Sequence, residues 1–253
     1  EESDTIYMGG GTPSLLDPDS LSRIIDSLYK HLKISPHAEL TIEANPDDLD
    51  AKVLKDLISV GFNRISLGIQ SFRDADLILM NRRHSADQAI DSVHQAKSAG
   101  FENISIDLIY GIPGLSELDW KDNMYRIREL PVDHLSAYHL TFEKETAFGK
   151  WLKQGKMKEI AEESSFNQYQ LLSKISKELG FEQYEISSFA KNQRYSLHNR
   201  KYWNGEWYLG LGALSAFIQW RKPALESIRF KTIFGGLLKR NDHNGERRYF
   251  YKR

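Results

Sequence analysis

The stretch Gly61-Phe62-Asn63-Arg64-Ile65-Ser66 is repeated as Gly100-Phe101-Glu102-Asn103-Ile104-Ser105, and a looser copy starts at Gly180. Each copy holds a glycine suited to the end of a helix, then a phenylalanine, then a strand-like run. Repeated helix–turn–strand units predict parallel strands joined by right-handed crossovers. The repeat therefore predicts an α/β fold, in which the flanking sequence continues the same alternation.

Hydrophobic periodicity on both sides of the repeat extends this alternation over most of the chain. Strands are predicted over residues 5–8, 39–43, 64–70, 104–109, 135–140 and 184–187. Helices are predicted over residues 15–32, 50–60, 85–100, 117–130 and 162–180, with Asp19 as the N-cap of the first. At least five units run in one direction, and the sequence has no Gly-x-Gly-x-x-Gly fingerprint. Both features favour a (β/α) barrel over a dinucleotide-binding fold.

The overall composition is that of a water-soluble globular protein. Of the 253 residues, 40% are hydrophobic and 27% are charged, and the length suits one large barrel or two ordinary domains. No segment approaches the roughly 20 continuous apolar residues of a membrane span. The acidic start Glu1-Glu2-Ser3-Asp4 does not resemble a signal peptide. We therefore expect a cytoplasmic protein without a transmembrane segment, and the net charge of -1 argues against nucleic acid as a partner.

Polar residues stand where the predicted strands end, which is the edge that carries the ligand site in such barrels. Three glycines, Gly9-Gly10-Gly11, follow the first strand and let the backbone approach a ligand. Their carbonyls suit an ammonium group, a carboxylate such as Glu43 suits ribose hydroxyls, and Arg82 can hold a carboxylate through two hydrogen bonds. Together these groups predict a pocket for a zwitterionic amino-acid nucleoside. The other polar residues at the strand ends are Thr12, Gln70, Asp107, His139 and Thr141.

Each of these residues also has a plainer interpretation when it is taken alone. A glycine run before Thr-Pro is usually only a loop, Glu43 can be a charge at the barrel rim, and Arg82 can lie at a solvated helix end. Asp107 is harder to explain in this way, because an unpaired carboxylate in an apolar strand is costly to bury. The prediction of a ligand site depends on their joint occurrence in strand order.

Four motifs in order carry a more specific signal: Tyr7-Met8-Gly9-Gly10-Gly11-Thr12-Pro13-Ser14, Ile42-Glu43-Ala44-Asn45-Pro46, Ser66-Leu67-Gly68-Ile69-Gln70-Ser71-Phe72 and Ile106-Asp107-Leu108-Ile109-Tyr110-Gly111-Ile112-Pro113. They resemble the signature of the radical-SAM, coproporphyrinogen III oxidase-like family, and the similarity spans residues 5–212. This resemblance implies a partial (β/α) TIM-like barrel of the radical-SAM type that binds S-adenosyl-L-methionine (SAM).

The same resemblance implies roles for individual residues. The glycine segment would receive the methionyl ammonium, Glu43 and Gln70 would address the ribose or nearby groups, and Arg82 would hold the methionyl carboxylate. The positions that match the family's SAM contacts are Gly10, Gly11, Thr12, Glu43, Gln70, Arg82 and Asp107.

The chain departs from this family in that it contains no cysteine. Disulfides, thiolate catalysis and a thiolate-held iron–sulfur cluster are therefore excluded within these residues, and no metal site is predicted in them. The family holds a [4Fe–4S] cluster on three cysteines, which the resemblance places upstream of Glu1. The barrel would then lack its first, cluster-bearing strand and loop. SAM cleavage would require that cluster and an electron donor.

Two branches of the family share the barrel, and this sequence resembles the HemW-type branch of heme chaperones. The motifs Glu43-Ala44-Asn45-Pro46 and Tyr184-Glu185-Ile186-Ser187-Ser188-Phe189-Ala190 are that branch's versions, and His198-Asn199-Arg200-Lys201-Tyr202-Trp203 matches its His-Asn-x-x-Tyr-Trp motif. The resemblance implies that His198, Tyr202 and Trp203 bind heme, because a histidine can ligate the iron while aromatic rings pack on the macrocycle. Alternatively, these residues belong to the core or to a lid under the barrel mouth.

The implied function is the binding of SAM and heme, with delivery of the heme to an acceptor protein. One alternative is an oxygen-independent coproporphyrinogen III oxidase, which oxidatively decarboxylates a porphyrinogen. Another is a scaffold with a SAM pocket but no redox activity. Whether the protein is an enzyme is left open by the sequence.

The predicted organisation has three parts: a barrel core over residues 1–180, the start of a HemW-type C-terminal region over 181–212, and an atypical tail over 213–253. After Gly212 the family continues with Pro-Ser-Ala-His-Ser-Tyr, whereas this chain reads Ala213-Leu214-Ser215-Ala216-Phe217-Ile218. Shifting the reading frame by one nucleotide can reconcile the two. We therefore hypothesise that the tail arises from a frameshift in the gene or in its recorded sequence. Resequencing the locus would contradict this if it returned an uninterrupted frame.

Overall fold

The computed structural model describes residues 2–142 and 147–212. The tail and its proposed frameshift, from residue 213 onward, lie outside the described residues. The strands are β1 (Ser3–Met8), β2 (Ile34–Ala44), β3 (Arg64–Gln70), β4 (Asn103–Tyr110), β5 (His134–His139), β6 (Glu182–Gln183) and β7 (Ser188–Ala190). The helices are α1 (Pro18–His31), α2 (Ala51–Val60), α3 (Asp74–Leu79), α4 (Ala86–Ala99), α5 (Glu117–Arg126), α6 (Ala147–Lys153), α7 (Glu162–Glu178) and α8 (Leu197–Trp203).

All seven strands form one sheet in the order β1-β2-β3-β4-β5-β7-β6. The first five strands are parallel, as the repeat predicts, while β7 pairs antiparallel with both β5 and β6. The sheet curls into a half-barrel with the long helices α1, α2, α4, α5 and α7 packed against one face, while α8 contacts β1. The predicted fold class, a partial (β/α) barrel, is therefore confirmed.

The repeated glycines end their helices as predicted. Gly61 follows α2 and Gly100 follows α4, and both have left-handed backbone with φ of 111° and 118°. The next residues, Phe62 and Phe101, are buried in the core. A glycine tolerates this φ without the steric cost that a side chain adds, so the turn into each following strand depends on it.

Two local predictions were wrong. Asp17, not Asp19, caps the first long helix by accepting a hydrogen bond from the Ser20 amide at 2.9 Å, because Pro18 takes the first helical position. Residues 184–187 do not form a strand but a chain reversal between β6 and β7. Hydrogen bonds within the segment stabilise this reversal, including one from the Ser187 amide to the Glu185 carboxylate.

The two faces of the curled sheet differ in polarity. The outward face is aliphatic: residues such as Ile42, Ile65 and Ile104 stand in register and pack against the helices. The inward face, here called the lumen, is polar, because side chains alternate between the faces of a strand. Its residues include Thr5, Tyr7, Glu39, Thr41, Glu43, Arg64, Ser66, Ser105, Asp107, His134 and Ser136.

The short helices α3, α6 and α8 were not predicted, because six or seven residues give too little periodicity. The predicted boundary at residue 180 stays a prediction, although β6 and β7 extend the same sheet. Across the described residues, no helix has both the length and the apolar character needed to cross a membrane.

Candidate functional site

Glu43 organises the lumen where β1 and β2 end. The Tyr7 hydroxyl donates to Glu43 Oε1 at 2.7 Å, and the Gly10 amide donates to Oε2 at 3.2 Å. A Cβ at Gly9 would stand 2.6 Å from the Glu43 carboxyl carbon, so any side chain there would displace the carboxylate. The glycine run thus lets a carboxylate lie directly against the backbone.

Beyond Glu43, the rim formed by Gly10 and Gly11 is open. Both glycines are exposed, and a Cβ built at either would meet no atom of the described residues within 4 Å. The side chain of Thr12 connects this rim to the next strand, because Asn45 Nδ2 donates to Thr12 Oγ1 at 3.0 Å. The rim therefore offers backbone groups to a ligand and is itself held in place.

A second group of side chains converges where β3 ends. Arg82 Nη2 donates to the Gly68 carbonyl at 2.9 Å, and a Cβ at Gly68 would stand 2.9 Å from Gln70 Nε2 and 3.0 Å from Arg82 Nη2. Gln70 has φ of 70°, a left-handed conformation that is unfavourable for a residue with a side chain. Such strain costs on the order of 1–3 kcal/mol and concentrates at functional sites. Its effect here is to end the strand with the Gln70 amide beside the Arg82 guanidinium.

Arg82 has unused hydrogen-bonding capacity. Its Nε is buried and has no hydrogen-bond partner among the described residues. Burial lowers the pKa of the Arg82 guanidinium, although Asp47 and Asp107 act in the opposite direction. A buried, unpaired guanidinium nitrogen is costly, and a ligand carboxylate would satisfy it through a bidentate pair.

The remainder of the third motif stabilises this arrangement. Ser71 Oγ donates to Asp76 Oδ2 at 2.8 Å, and the Phe72 amide donates to Asn123 Oδ1 at 2.7 Å. The Arg82 amide in turn bonds the Leu77 carbonyl at 2.8 Å. These buried contacts fix the turn after β3 and the end of α3, and therefore the position of Arg82.

Asp107 lies on β4, facing the lumen. Ser66 Oγ donates to its two carboxylate oxygens at 3.3 and 3.4 Å. Enclosure in the lumen, together with the charge of Glu43, raises the pKa of Asp107 from 3.8 to about 6. A buried carboxyl whose pKa is raised by burial and by a neighbouring carboxylate is typical of a binding site.

The helix α8 brings His198 into the same lumen. The amides of Leu197 and His198 donate to the Glu39 carboxylate at 3.1 and 3.2 Å. The His198 ring stacks on Tyr7, with ring centroids 4.9 Å apart and an angle of 25° between the planes. The Tyr7 side chain therefore lies between His198 and Glu43 and contacts both, although the two residues are far apart in sequence.

The His198 ring is neutral and hydrogen-bonded at both nitrogens. Its Nδ1 lies 3.1 Å from Thr5 Oγ1, and its Nε2 lies 3.0 Å from the Tyr202 hydroxyl. Burial and the charges of Arg64 and Lys201 lower the pKa of His198 to about 4. Iron ligation by Nε2 would require Tyr202 to move. Trp203 does not join the lumen, because 63% of its surface is exposed.

His139 makes its contacts with residues other than those around Glu43 and Arg82. Its Nε2 is 2.7 Å from Ser165 Oγ on α7, and its ring packs against the Tyr110 edge. Several lumen residues were missed by the sequence reasoning, although strict polar–apolar alternation along β1 to β5 would have revealed them. They are Thr5, Tyr7, Glu39, Arg64, Ser66, Ser136 and Tyr138.

Comparison with known proteins identifies relatives of this chain. The model of the radical SAM superfamily matches residues 1–125. The heme chaperone HemW of Lactococcus lactis is 39% identical over 233 residues, which are 92% of this chain and 60% of that protein. HemW of Bacillus subtilis is 38% identical over 83% of this chain and 55% of that protein. The mitochondrial radical SAM domain-containing protein 1 of Danio rerio is 34% identical over 82% of this chain and 47% of that protein.

Solved structures show the same fold. Coproporphyrinogen III oxidase (HemN) from Escherichia coli matches with a TM-score of 0.68 and 26% identity, covering 81% of this chain and 46% of that one. The chain thus spans about half to three fifths of the length of these relatives. It carries a radical SAM domain, which the superfamily model matches over residues 1–125.

Proposed function

We propose that this chain is the SAM- and heme-binding part of a HemW-like heme chaperone. The observation that carries the proposal is that one lumen holds the Glu43 carboxylate and the Arg82 guanidinium at its rim together with the His198 ring. Relatives named heme chaperone HemW are 33–39% identical to this chain and support the assignment.

The chain's own residues fit SAM. Arg82 Nε, which has no hydrogen-bond partner in the part of the chain that the structure describes, suits the methionyl carboxylate, and the open backbone of Gly10 and Gly11 suits the methionyl ammonium. Glu43, Gln70 and Asp107 supply acceptors and an amide for the ribose and the adenine end. This division of roles follows the family resemblance, and the convergence of the side chains supports it.

The residues of this chain do not fit a [4Fe–4S] cluster, although a radical SAM domain implies one. A cluster of this kind is held by cysteine thiolates, and the chain has no cysteine. We therefore assign no step of reductive SAM cleavage to the residues described. The proposal includes an electron donor and a heme-acceptor protein as partners, and the cytoplasm as the compartment.

We expect Glu43→Gln and Arg82→Ala each to weaken SAM binding by about 1–3 kcal/mol, because each removes a charge-assisted contact. Calorimetric titration of the chain with SAM measures the effect. Arg83→Ala is the matched control, since Arg83 is the exposed neighbour and pairs with Asp47 and Asp48 instead. Unchanged SAM affinity in both site variants would contradict the assignment.

We expect His198→Ala to shift the Soret band of the heme-loaded chain or to reduce the heme bound at saturation. The reason is that a neutral imidazole is the form that ligates iron. A heme titration followed by absorption spectroscopy measures both quantities. The control is His94→Ala on the exposed face of α4. If His198→Ala leaves both the spectrum and the stoichiometry as in the unaltered chain, His198 is structural only.

A second candidate function is oxygen-independent coproporphyrinogen III oxidation, which the match to the Escherichia coli HemN structure favours. Conversion of coproporphyrinogen III by the reconstituted protein distinguishes this oxidase from a chaperone. Binding of neither SAM nor heme would leave a scaffold without either activity.

A further inference from the structure

Tyr7 lies between the two candidate sites and contacts both. Its hydroxyl donates to Glu43 Oε1 at 2.7 Å on one side. Its ring stacks on His198 on the other side, with centroids 4.9 Å apart. Glu43 continues the chain of contacts to the Gly10 amide at 3.2 Å. Two side chains, Glu43 and Tyr7, therefore connect the open glycine rim to the His198 ring.

The hydrogen bond between Tyr7 and Glu43 has a fixed direction. Burial and the nearby charges of Glu43 and Asp107 raise the pKa of Tyr7 far above its ordinary value of 10.0. The phenol therefore stays protonated and can only donate to the carboxylate. Any ligand group that competes for Glu43 Oε1 competes with this hydroxyl.

The Nδ1 atom of His198 is held by the same strand that carries Tyr7. Thr5 lies two residues before Tyr7 on β1, faces the same lumen, and bonds His198 Nδ1 at 3.1 Å. The start of α8 is anchored on Glu39, which lies 3.9 Å from Arg64 Nε. His198 is therefore restrained by Thr5 and by the anchored start of α8, so a movement of the Tyr7 ring would change the environment of its ring.

We propose that Tyr7 is a positioning residue that couples the SAM rim to α8, holding Glu43 through its hydroxyl and His198 through its ring. The inference rests on the proposed function, since it takes Glu43 as part of the SAM pocket and His198 as part of the heme segment. Such coupling is reciprocal: a ligand that alters Glu43 alters His198, and the reverse.

The first test needs no ligand. The ring signals of His198 are followed by NMR in the whole chain labelled with ¹⁵N-histidine, and His198→Ala assigns them among the eight histidines. We expect Tyr7→Phe and Glu43→Gln each to shift the His198 signals, because the first removes the hydrogen bond that fixes the Tyr7 ring and the second removes the negative charge that strengthens it. Glu43→Gln keeps the test valid if Tyr7→Phe folds poorly.

The matched control is Tyr125→Phe. Tyr125 donates to Glu178 Oε2 at 2.9 Å, so the change removes the same kind of hydrogen bond on the outer helices. If the His198 signals stay unmoved in both Tyr7→Phe and Glu43→Gln, the coupling is overturned. Equal movement in Tyr125→Phe would overturn it as well.

The second test adds SAM. We expect SAM to shift the His198 signals in the unaltered chain, and Tyr7→Phe to bind SAM about fivefold more weakly and to lose this response, a coupling of ordinary size. If SAM does not bind the unaltered chain, the proposed function fails while the ligand-free test still decides on Tyr7. If SAM binds and the His198 signals stay still, the coupling fails while the SAM site stands.

Discussion

Replacing Trp120 with alanine is expected to lower the free energy of unfolding by about 3–5 kcal/mol, the usual cost of emptying a large buried aromatic site. Trp120 is completely buried on α5, and its Nε1 donates to the Gln168 carbonyl at 2.9 Å. The side chain of Gln168 accepts from the Gly111 amide at 2.8 Å and donates to the Leu115 carbonyl at 2.9 Å. Trp120 therefore holds α5 and α7 together behind the end of β4.

Chemical denaturation followed by circular dichroism measures this loss. Trp151→Ala on α6 is the control, because 37% of Trp151 is exposed and its truncation leaves a smaller cavity. An equal loss in both variants would show that Trp120 has no special role in joining the helices.

Replacing Asp107 with asparagine is expected to raise the free energy of unfolding by about 2 kcal/mol at about pH 7.5, and to leave it almost unchanged near about pH 3.5. The pKa of Asp107 rises from 3.8 to about 6 on folding, so the folded chain holds this proton more tightly than the unfolded chain does. The stability that protonated Asp107 contributes is fully present below 3.8, its pKa in the unfolded chain, and is lost as the pH rises through about 6. A difference of this size corresponds to about 3 kcal/mol at most, and the partial solvent exposure of Asp107 lowers it.

Asparagine keeps the shape and an acceptor for Ser66 but cannot ionise. When the free energy of unfolding is measured at several pH values, its dependence on pH between 3.8 and about 6 should therefore be lost in Asp107→Asn. Asp91→Asn on the exposed face of α4 serves as the control. If the slope persists in Asp107→Asn, another group causes it. Weaker SAM binding by the stabilised variant would show that Asp107 is retained for the ligand at the expense of stability.

The sequence alone was sufficient to predict the half-barrel, because the features that specify it are local. The Gly-Phe repeat ends each helix with a left-handed glycine and buries the next ring, and both requirements are met within a few residues. The five parallel strands follow from that repetition. The polar residues at the strand ends could also be predicted, since parallel strands bring their carboxyl ends to one edge.

Other features were decided only by the tertiary structure. Residues 184–187 were predicted as a strand, because their composition suits a strand as well as a reversal. The antiparallel pairing of β7 with β5 requires the chain to reverse before β7 begins. The sequence could not show that Arg82 Nε has no partner within residues 2–142 and 147–212, since that depends on how the Arg82 side chain reaches the Gly68 carbonyl.

The position of His198 is the clearest case. Its motif identified it as a candidate, but its partner Thr5 lies 193 positions earlier in the chain. Contacts at such separation follow no periodicity, because they depend on how the sheet curls and where α8 returns to it. The sequence therefore determined the barrel and the chemical groups at its rim, and the curvature of the sheet decided that Tyr7 would join them to His198.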